Sequence, residues 1–301
     1  MLIIGSRGSQ LALWQAKWVQ ARLNGLGYAA RIEIIRTTGD KITDVPLAKA
    51  GTKGLFTKEI EEALLAGAVD LAVHSLKDMP TELPAGLTLA AVPEREDPRD
   101  VLVGRKLAEL PAGARVGTSS LRRTAQLLAL RPDLAVEPVR GNLDTRLRKV
   151  DQGQYQAVML AAAGLCRMGW RDRISEVLPP EAVCPAAGQG ALALETREDG
   201  GAGREACLRL NHAPSRLAVT AERAVLRALG GGCQVPIGAH AVVSSGGLHL
   251  RAVVISPDGK TLIGRTAEGP AAGAGALGKA LAEELLAAGA QEILAAVYGA
   301  R

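Results

Sequence analysis

Short apolar runs and amphipathic stretches alternate along the first third of the chain. Leu2–Gly5 has the length of a short buried strand, and Ser9 stands where a cap would open the helix that follows, to about Leu23. A second strand is predicted over Arg31–Arg36, a helix over Leu55–Leu65 and a third strand over Asp70–His74. This alternation implies a parallel or mixed sheet covered by helices. Pro93-Glu94-Arg95-Glu96-Asp97-Pro98 is polar, bracketed by prolines, and reads as a linker. Beyond it the pattern restarts, with strands over Arg115–Gly117, Ala135–Val139 and Ala157–Ala161 and helices over Ser119–Ala129 and Asn142–Asp151. The two stretches look like similar α/β units without a repeat of residue identity.

The glycine-rich passage Pro185–Gly190 precedes another apolar strand, Ala191–Glu195, which is assigned back to the first unit. A long helix is predicted from Ser215 to Leu229, ending in Gly230-Gly231-Gly232-Cys233. Strands follow over Ala239–Val243, Leu248–Ile255 and Thr261–Thr266, the last two joined by the turn Pro257-Asp258-Gly259-Lys260. A helix over Gly275–Ala288 and a strand over Glu292–Tyr298 complete the chain. The expected fold class is α/β: two similar α/β domains facing across a cleft, plus a small α+β C-terminal domain. The domains are placed at residues 1–95 with 191–210, 98–186 and 213–301.

Composition narrows the classes. At 301 residues, with 48% apolar and 22% charged residues, the chain is neither collagen-like nor disordered. Aromatic residues make up only 2%, which argues against a single-strand nucleic-acid binder that stacks bases on rings. The net charge of +5 is too small to imply nucleic acid by itself. No run of about 18 apolar residues predicts a bilayer span, and Met1–Arg7 does not read as a signal peptide. The four cysteines, Cys166, Cys184, Cys207 and Cys233, form no CxxC, so a metal site or disulfide framework is not expected and a reducing cytoplasm is.

The basic residues cluster at the ends of predicted strands and the starts of helices. Arg7, Lys77, Arg140 and Arg167 follow strands, Arg122 and Arg123 lie in the first turn of a helix opened by Thr118-Ser119-Ser120, and Arg146 lies one turn into the next helix. In open α/β sheets ligands bind at those strand ends, where helix N-termini favour anions. The set points to a ligand with several carboxylates or phosphates; solvated surface arginines are the plain alternative. Asp78, beside Lys77 at a strand end, is either a carboxylate placed to hold a cation or move a proton, or half of a minor ion pair. His74 reads as a core histidine. Cys233 is either a reactive thiol on a loop with room for a bulky group or an inert cysteine at a helix end. Gly273–Gly278 spells the dinucleotide fingerprint but opens no βαβ unit, and Gly51-Thr52-Lys53-Gly54 is not a P-loop.

Eight passages, in order and spanning nearly the whole chain, resemble the porphobilinogen deaminase (hydroxymethylbilane synthase) family. They are Ser6–Gln15, Lys53–Phe56, His74–Pro80, Glu94–Asp100, Gly117–Arg123, Arg140–Leu147, Ala187–Gly190 and Gly231–Gly238. The resemblance implies a fold like that of periplasmic binding proteins. It also implies a transferase of tetrapyrrole biosynthesis that joins four porphobilinogen molecules into linear hydroxymethylbilane with loss of ammonia. The growing oligopyrrole is built on a dipyrromethane cofactor held by a thioether to Cys233. Asp78 would be the catalytic carboxylate, steadying the cationic azafulvene and the pyrrole N–H groups. Ser75, Lys77, Asp78, Thr118, Ser120, Arg122, Arg123, Arg146 and Gln189 would hold the cofactor. Arg7, Ser9, Gln15, Phe56, Arg140, Arg146 and Arg167 would receive the substrate, and Lys49 and Lys53 would lie on a mobile loop. The expected protein is a cytoplasmic monomer with neither metal, membrane nor nucleic-acid partner. The rival reading is a two-lobed anion-binding protein without chemistry.

Overall fold

A computed structural model describes residues 1–41, 54–231 and 235–299. The elements run β1 Leu2–Ser6, α1 Gln10–Gly25, β2 Ala30–Ile34, α2 Thr38–Lys41, α3 Lys58–Leu65, β3 Leu71–Ser75 and β4 Leu87–Ala91. After the irregular segment 92–99 come β5 Asp100–Val103, β6 Arg115–Gly117, α4 Leu121–Leu130, β7 Ala135–Glu137, α5 Leu143–Asp151, β8 Ala157–Ala161, α6 Ala162–Arg167 and β9 Glu176–Leu178. The chain continues with β10 Leu192–Arg197, α7 Gly201–Leu208, α8 Ala213–Ala228, β11 Ile237–Ser244, β12 Gly247–Ile255, β13 Leu262–Gly269, α9 Ala274–Leu285 and α10 Gln291–Gly299. Two compact units result: Met1–Glu96 with Ala191–Arg216, and Asp97–Gly190 with Leu217–Arg301.

The first unit holds a five-stranded sheet in the order β2-β1-β3-β10-β4, with β1 parallel to β2 and β3 and with β10 antiparallel to its neighbours. Side chains alternate between the faces of a strand, so each strand here feeds two layers. Leu71, Val73, Leu192 and Leu194 pack against Ala16, Val19 and Leu23 of α1, whose spacing of three and four residues makes one helical stripe. Ala72 turns to the other face and meets Ile60 and Leu64 of α3. Ser9 caps α1 by accepting the Ala12 N–H.

The second unit repeats this plan as β7-β6-β8-β5-β9, again with one antiparallel strand second from the edge, here β5. Leu102 and Met159 face Leu127 of α4, while Val101, Val103, Val158 and Leu160 face Leu147 of α5 and Leu165 of α6. The same unit carries the small C-terminal domain, the antiparallel sheet β11-β12-β13 covered by α8, α9 and α10. The fold is thus mixed α/β, with two sheet-and-helix layers and a small α+β addition.

Some elements differ from expectation. The predicted strand Glu292–Tyr298 is the helix α10: Ile293, Leu294 and Val297 are buried on one helical face, and Ala295 and Ala296 favour the helix. The helix expected from Leu55 begins at Lys58. Strands β4, β5 and β9 were not anticipated; each is short, and β5 starts on a charged residue, Asp100. The fingerprint-like glycines lie at the start of α9.

Candidate active site

In the first unit, Arg7, Ser9, Gln15, Phe56, Ser75 and Asp78 line one pocket. Arg7 directly follows β1, and Ser9 and Gln15 belong to the opening of α1. Strand β3 delivers Ser75, and a single 3-10 turn, Leu76–Asp78, carries Asp78 outward while Leu76 is buried beneath it. The pocket therefore sits at the carboxyl ends of two parallel strands, beside a helix N-terminus. Gln15 Nε2 donates to Ser75 Oγ at 3.0 Å, which ties α1 to the end of β3. Arg7 stacks its guanidinium over the Phe56 ring at 4.1 Å. Lys77 lies half-buried next to Asp78.

Beneath the pocket lies a buried polar cluster. His74 of β3 and Glu195 of β10 share the sheet face that α3 covers, and His74 Nε2 lies 3.1 Å from Glu195 Oε2 without hydrogen-bond alignment. Glu61 of α3 joins them. Burial raises its carboxyl above the ordinary range, the Thr57 hydroxyl works against this, and the Glu195 charge adds to it.

In the second unit, Arg122 and Arg123 converge on Asp100, all three buried. Arg122 Nη1 donates to Asp100 Oδ2 at 2.6 Å and to the Cys184 carbonyl at 2.7 Å. Arg123 Nε donates to Asp100 Oδ1 at 2.9 Å, and Nη1 to the Met159 carbonyl at 3.2 Å. Gln189 is wholly buried; its Nε2 donates to Asp100 Oδ1 at 2.9 Å and to the Pro98 carbonyl, and its Oε1 accepts from Arg123. Burial alone would raise the Asp100 carboxyl, but the charges of Arg122 and Arg123 and the hydrogen bonds outweigh it and hold the group far below the usual carboxylate range.

Ser120 caps α4 by accepting the Arg123 N–H, and Thr118 Oγ1 accepts the Ser120 N–H. Arg146 Nε donates to the Gly141 carbonyl at 2.9 Å, and Arg140 lies half-buried where β7 turns towards α5. Arg167, at the end of α6, is buried and donates to the Gly190 carbonyl at 2.7 Å. Lys49, Lys53 and Cys233 fall outside the described residues. Two other thiols are ill suited to nucleophilic work: burial pushes Cys184 and Cys207 up to about 12.

In each unit the donor chemistry suits carboxylates. Guanidinium, hydroxyl and amide donors gather at the end of β1 and β3, and hydroxyls and arginines gather at the start of α4 and α5. Two family models cover the chain. The first, the dipyrromethane cofactor binding domain of porphobilinogen deaminase, matches residues 2–204, and the second, the C-terminal domain of the same enzyme, matches residues 216–287. The chain belongs to the porphobilinogen deaminase family.

Relatives agree along the full length. A porphobilinogen deaminase of Syntrophobacter fumaroxidans is 52% identical over 99% of this chain and 98% of its own. Those of Geobacter metallireducens and Pelotomaculum thermopropionicum are each 54% identical, over 99% and 97% of this chain and 95% and 96% of their own. A periplasmic substrate-binding protein of an ABC transporter from Coxiella burnetii is 14% identical, with a TM-score of 0.44 over 74% of this chain and 97% of its own.

Asp100, Glu61 and Glu195 are not among the site residues expected from the sequence. The signals were present. Asp100 ends the family-like passage Glu94–Asp100, and Glu195 is an acid closing an apolar strand.

Proposed function

We propose that the chain is a hydroxymethylbilane synthase, a transferase that converts four porphobilinogen molecules and one water into linear hydroxymethylbilane and four ammonia. Each ammonia leaves as a carbon–nitrogen bond of porphobilinogen breaks and a bond to the next pyrrole carbon forms. Water closes the chain as a hydroxymethyl group. When bound, the dipyrromethane group, joined to the Cys233 sulfur, supplies the pyrrole carbon from which the oligomer grows.

The protein's own side chains bind, orient and stabilise. Asp78 stands exposed at the tip of the turn that ends β3, within the donor-lined pocket, and this observation carries the reading. Its carboxylate balances the positive charge that appears as an amine departs and accepts from pyrrole N–H groups. Arg7, Ser9 and Gln15 receive acetate and propionate groups of the incoming pyrrole. Arg140 and Arg167 are assigned to the substrate, Arg146 to both substrate and cofactor, and Phe56 offers a ring against which a pyrrole stacks. Ser75, Lys77, Thr118, Ser120, Arg122 and Arg123 serve the cofactor carboxylates, and Lys49 and Lys53 precede Phe56 in the sequence. The three-domain division at residues 1–95 with 191–210, 98–186 and 213–301 belongs to this reading. So does a monomer working in the cytoplasm, in keeping with the free thiols of Cys166, Cys184 and Cys207.

The test is turnover. Purified protein given porphobilinogen should release ammonia and tetrapyrrole in a ratio of four to one. Tight binding of porphobilinogen with no ammonia release would instead mark an anion-binding protein.

A further inference from the structure

The buried network around Asp100 extends well beyond the arginines. Gln189 belongs to the glycine-rich passage Ala187–Gly190, and the neighbouring Gly188 N–H donates to Glu222 Oε2 at 2.7 Å. Glu222 lies on α8 and is wholly buried, and its other oxygen accepts the Ala241 N–H of β11 at 2.7 Å. Strand β11 begins at Ile237, shortly after Cys233 in the sequence. One polar chain thus runs from Arg122 and Arg123 through Asp100, Gln189, Gly188 and Glu222 to β11.

The packing beside this chain is equally close. A Cβ on Gly238 of β11 would come within 2.8 Å of Cys184, the residue whose carbonyl accepts from Arg122 and Gln126. A Cβ on Gly259, in the turn between β12 and β13, would come within 2.7 Å of the Ala125 carbonyl on α4. The small C-terminal sheet is therefore seated directly on the helix that carries both arginines.

Burying two carboxylates and two guanidinium groups gives little net stability, since apolar residues of similar volume would pack as well. What such a network does supply is direction. Asp100 holds two flexible arginines in one orientation, and Glu222 fixes the loop that brings Gln189 to Asp100.

We infer that Asp100, Gln189 and Glu222 are positioning residues, a buried polar chain that keeps the cofactor-gripping arginines in register with the strand that follows the attachment cysteine. This rests on the functional reading above. A primer tethered through sulfur at one place and held by its carboxylates at another is sensitive to that register, because a misplacement of about 1 Å costs on the order of a hundred-fold in rate. Gln189 then acts through Asp100 rather than by touching the cofactor, as its complete burial requires.

The experiment follows cofactor loading. Full-length chain is produced in cells that make no porphobilinogen, mixed with porphobilinogen, and weighed intact over time, well below the melting temperature of each variant. Gln189→Met and Glu222→Gln should stay folded and gain the two-pyrrole mass at least ten-fold more slowly than the wild type. Asp100→Asn should be slower still; if it does not fold, Gln189→Met decides. A folded Gln189→Met that loads at the wild-type rate overturns the inference alone. A wild-type chain that never gains the mass overturns the functional reading and the inference together.

Discussion

The guanidinium of Arg7 lies 4.1 Å over the ring of Phe56, joining the end of β1 to the segment that leads into α3. Phe56 is the only phenylalanine of the chain and it lines the same pocket as Asp78. A cation over a ring face contributes about 1 kcal/mol when partly desolvated, or about five-fold in an equilibrium. Phe56→Leu should therefore raise the KM for porphobilinogen about five-fold by loosening Arg7, with the mass added by the cofactor unchanged. Steady-state kinetics beside an intact mass measurement checks both halves of this expectation.

Asp78→Asn keeps size and polarity but removes the charge. Turnover should fall about 100-fold to 10,000-fold, the range for losing a positioned acid–base or electrostatic group. Cofactor attachment should persist. Near-normal turnover in single-turnover assays would take Asp78 out of the chemistry.

The cluster beneath the pocket makes a stability prediction. Burial raises the Glu61 carboxyl, so the folded state favours its protonated form. The stability tied to that proton is full below about pH 4.3, the unfolded value, and is lost as pH rises through the raised folded value. Glu61→Gln, which needs no proton, should melt like the wild type near pH 4 and progressively higher than it towards neutrality. The groups facing Glu61 are Thr57 and Glu62 on its own segment and His74 and Glu195 across from it. Parallel melting curves from pH 4 to 8 make the comparison, and a constant difference across that range would show that Glu61 does not titrate abnormally.

Asp100 behaves in the opposite sense. Its carboxyl is held far below the ordinary aspartate value, so its stabilisation is present above about pH 3.9 and is lost as pH falls towards the depressed value. Arg122→Leu removes one of its partners and should cost about 3–5 kcal/mol at neutral pH, as breaking a buried pair does. Denaturant unfolding at pH 7 reads this directly. The same variant should load cofactor poorly.

Much of the first pocket was legible in the sequence because its residues sit where local rules put them. Arg7 directly follows a strand, Ser75 ends one, Ser9 caps a helix, and Asp78 follows within a turn before Pro80. The network of the second unit was not legible, because Asp100, Arg122, Cys184, Gln189 and Glu222 are brought together by the tertiary fold and no spacing pattern links them. Arg122 and Arg123 were visible as cations at a helix start, but their shared carboxylate was not. The error at α10 has a local cause: a short apolar run reads equally as a buried strand or a helical face, and only packing against the C-terminal sheet decides.

The most direct test of the account is the intact mass of the protein purified from cells that make porphobilinogen. The native chain should be heavier than its sequence by about two linked pyrroles, with the excess mapping to the peptide that holds Cys233 and missing from Cys233→Ser. A native chain at its plain sequence mass, folded and supplied with precursor, would contradict it.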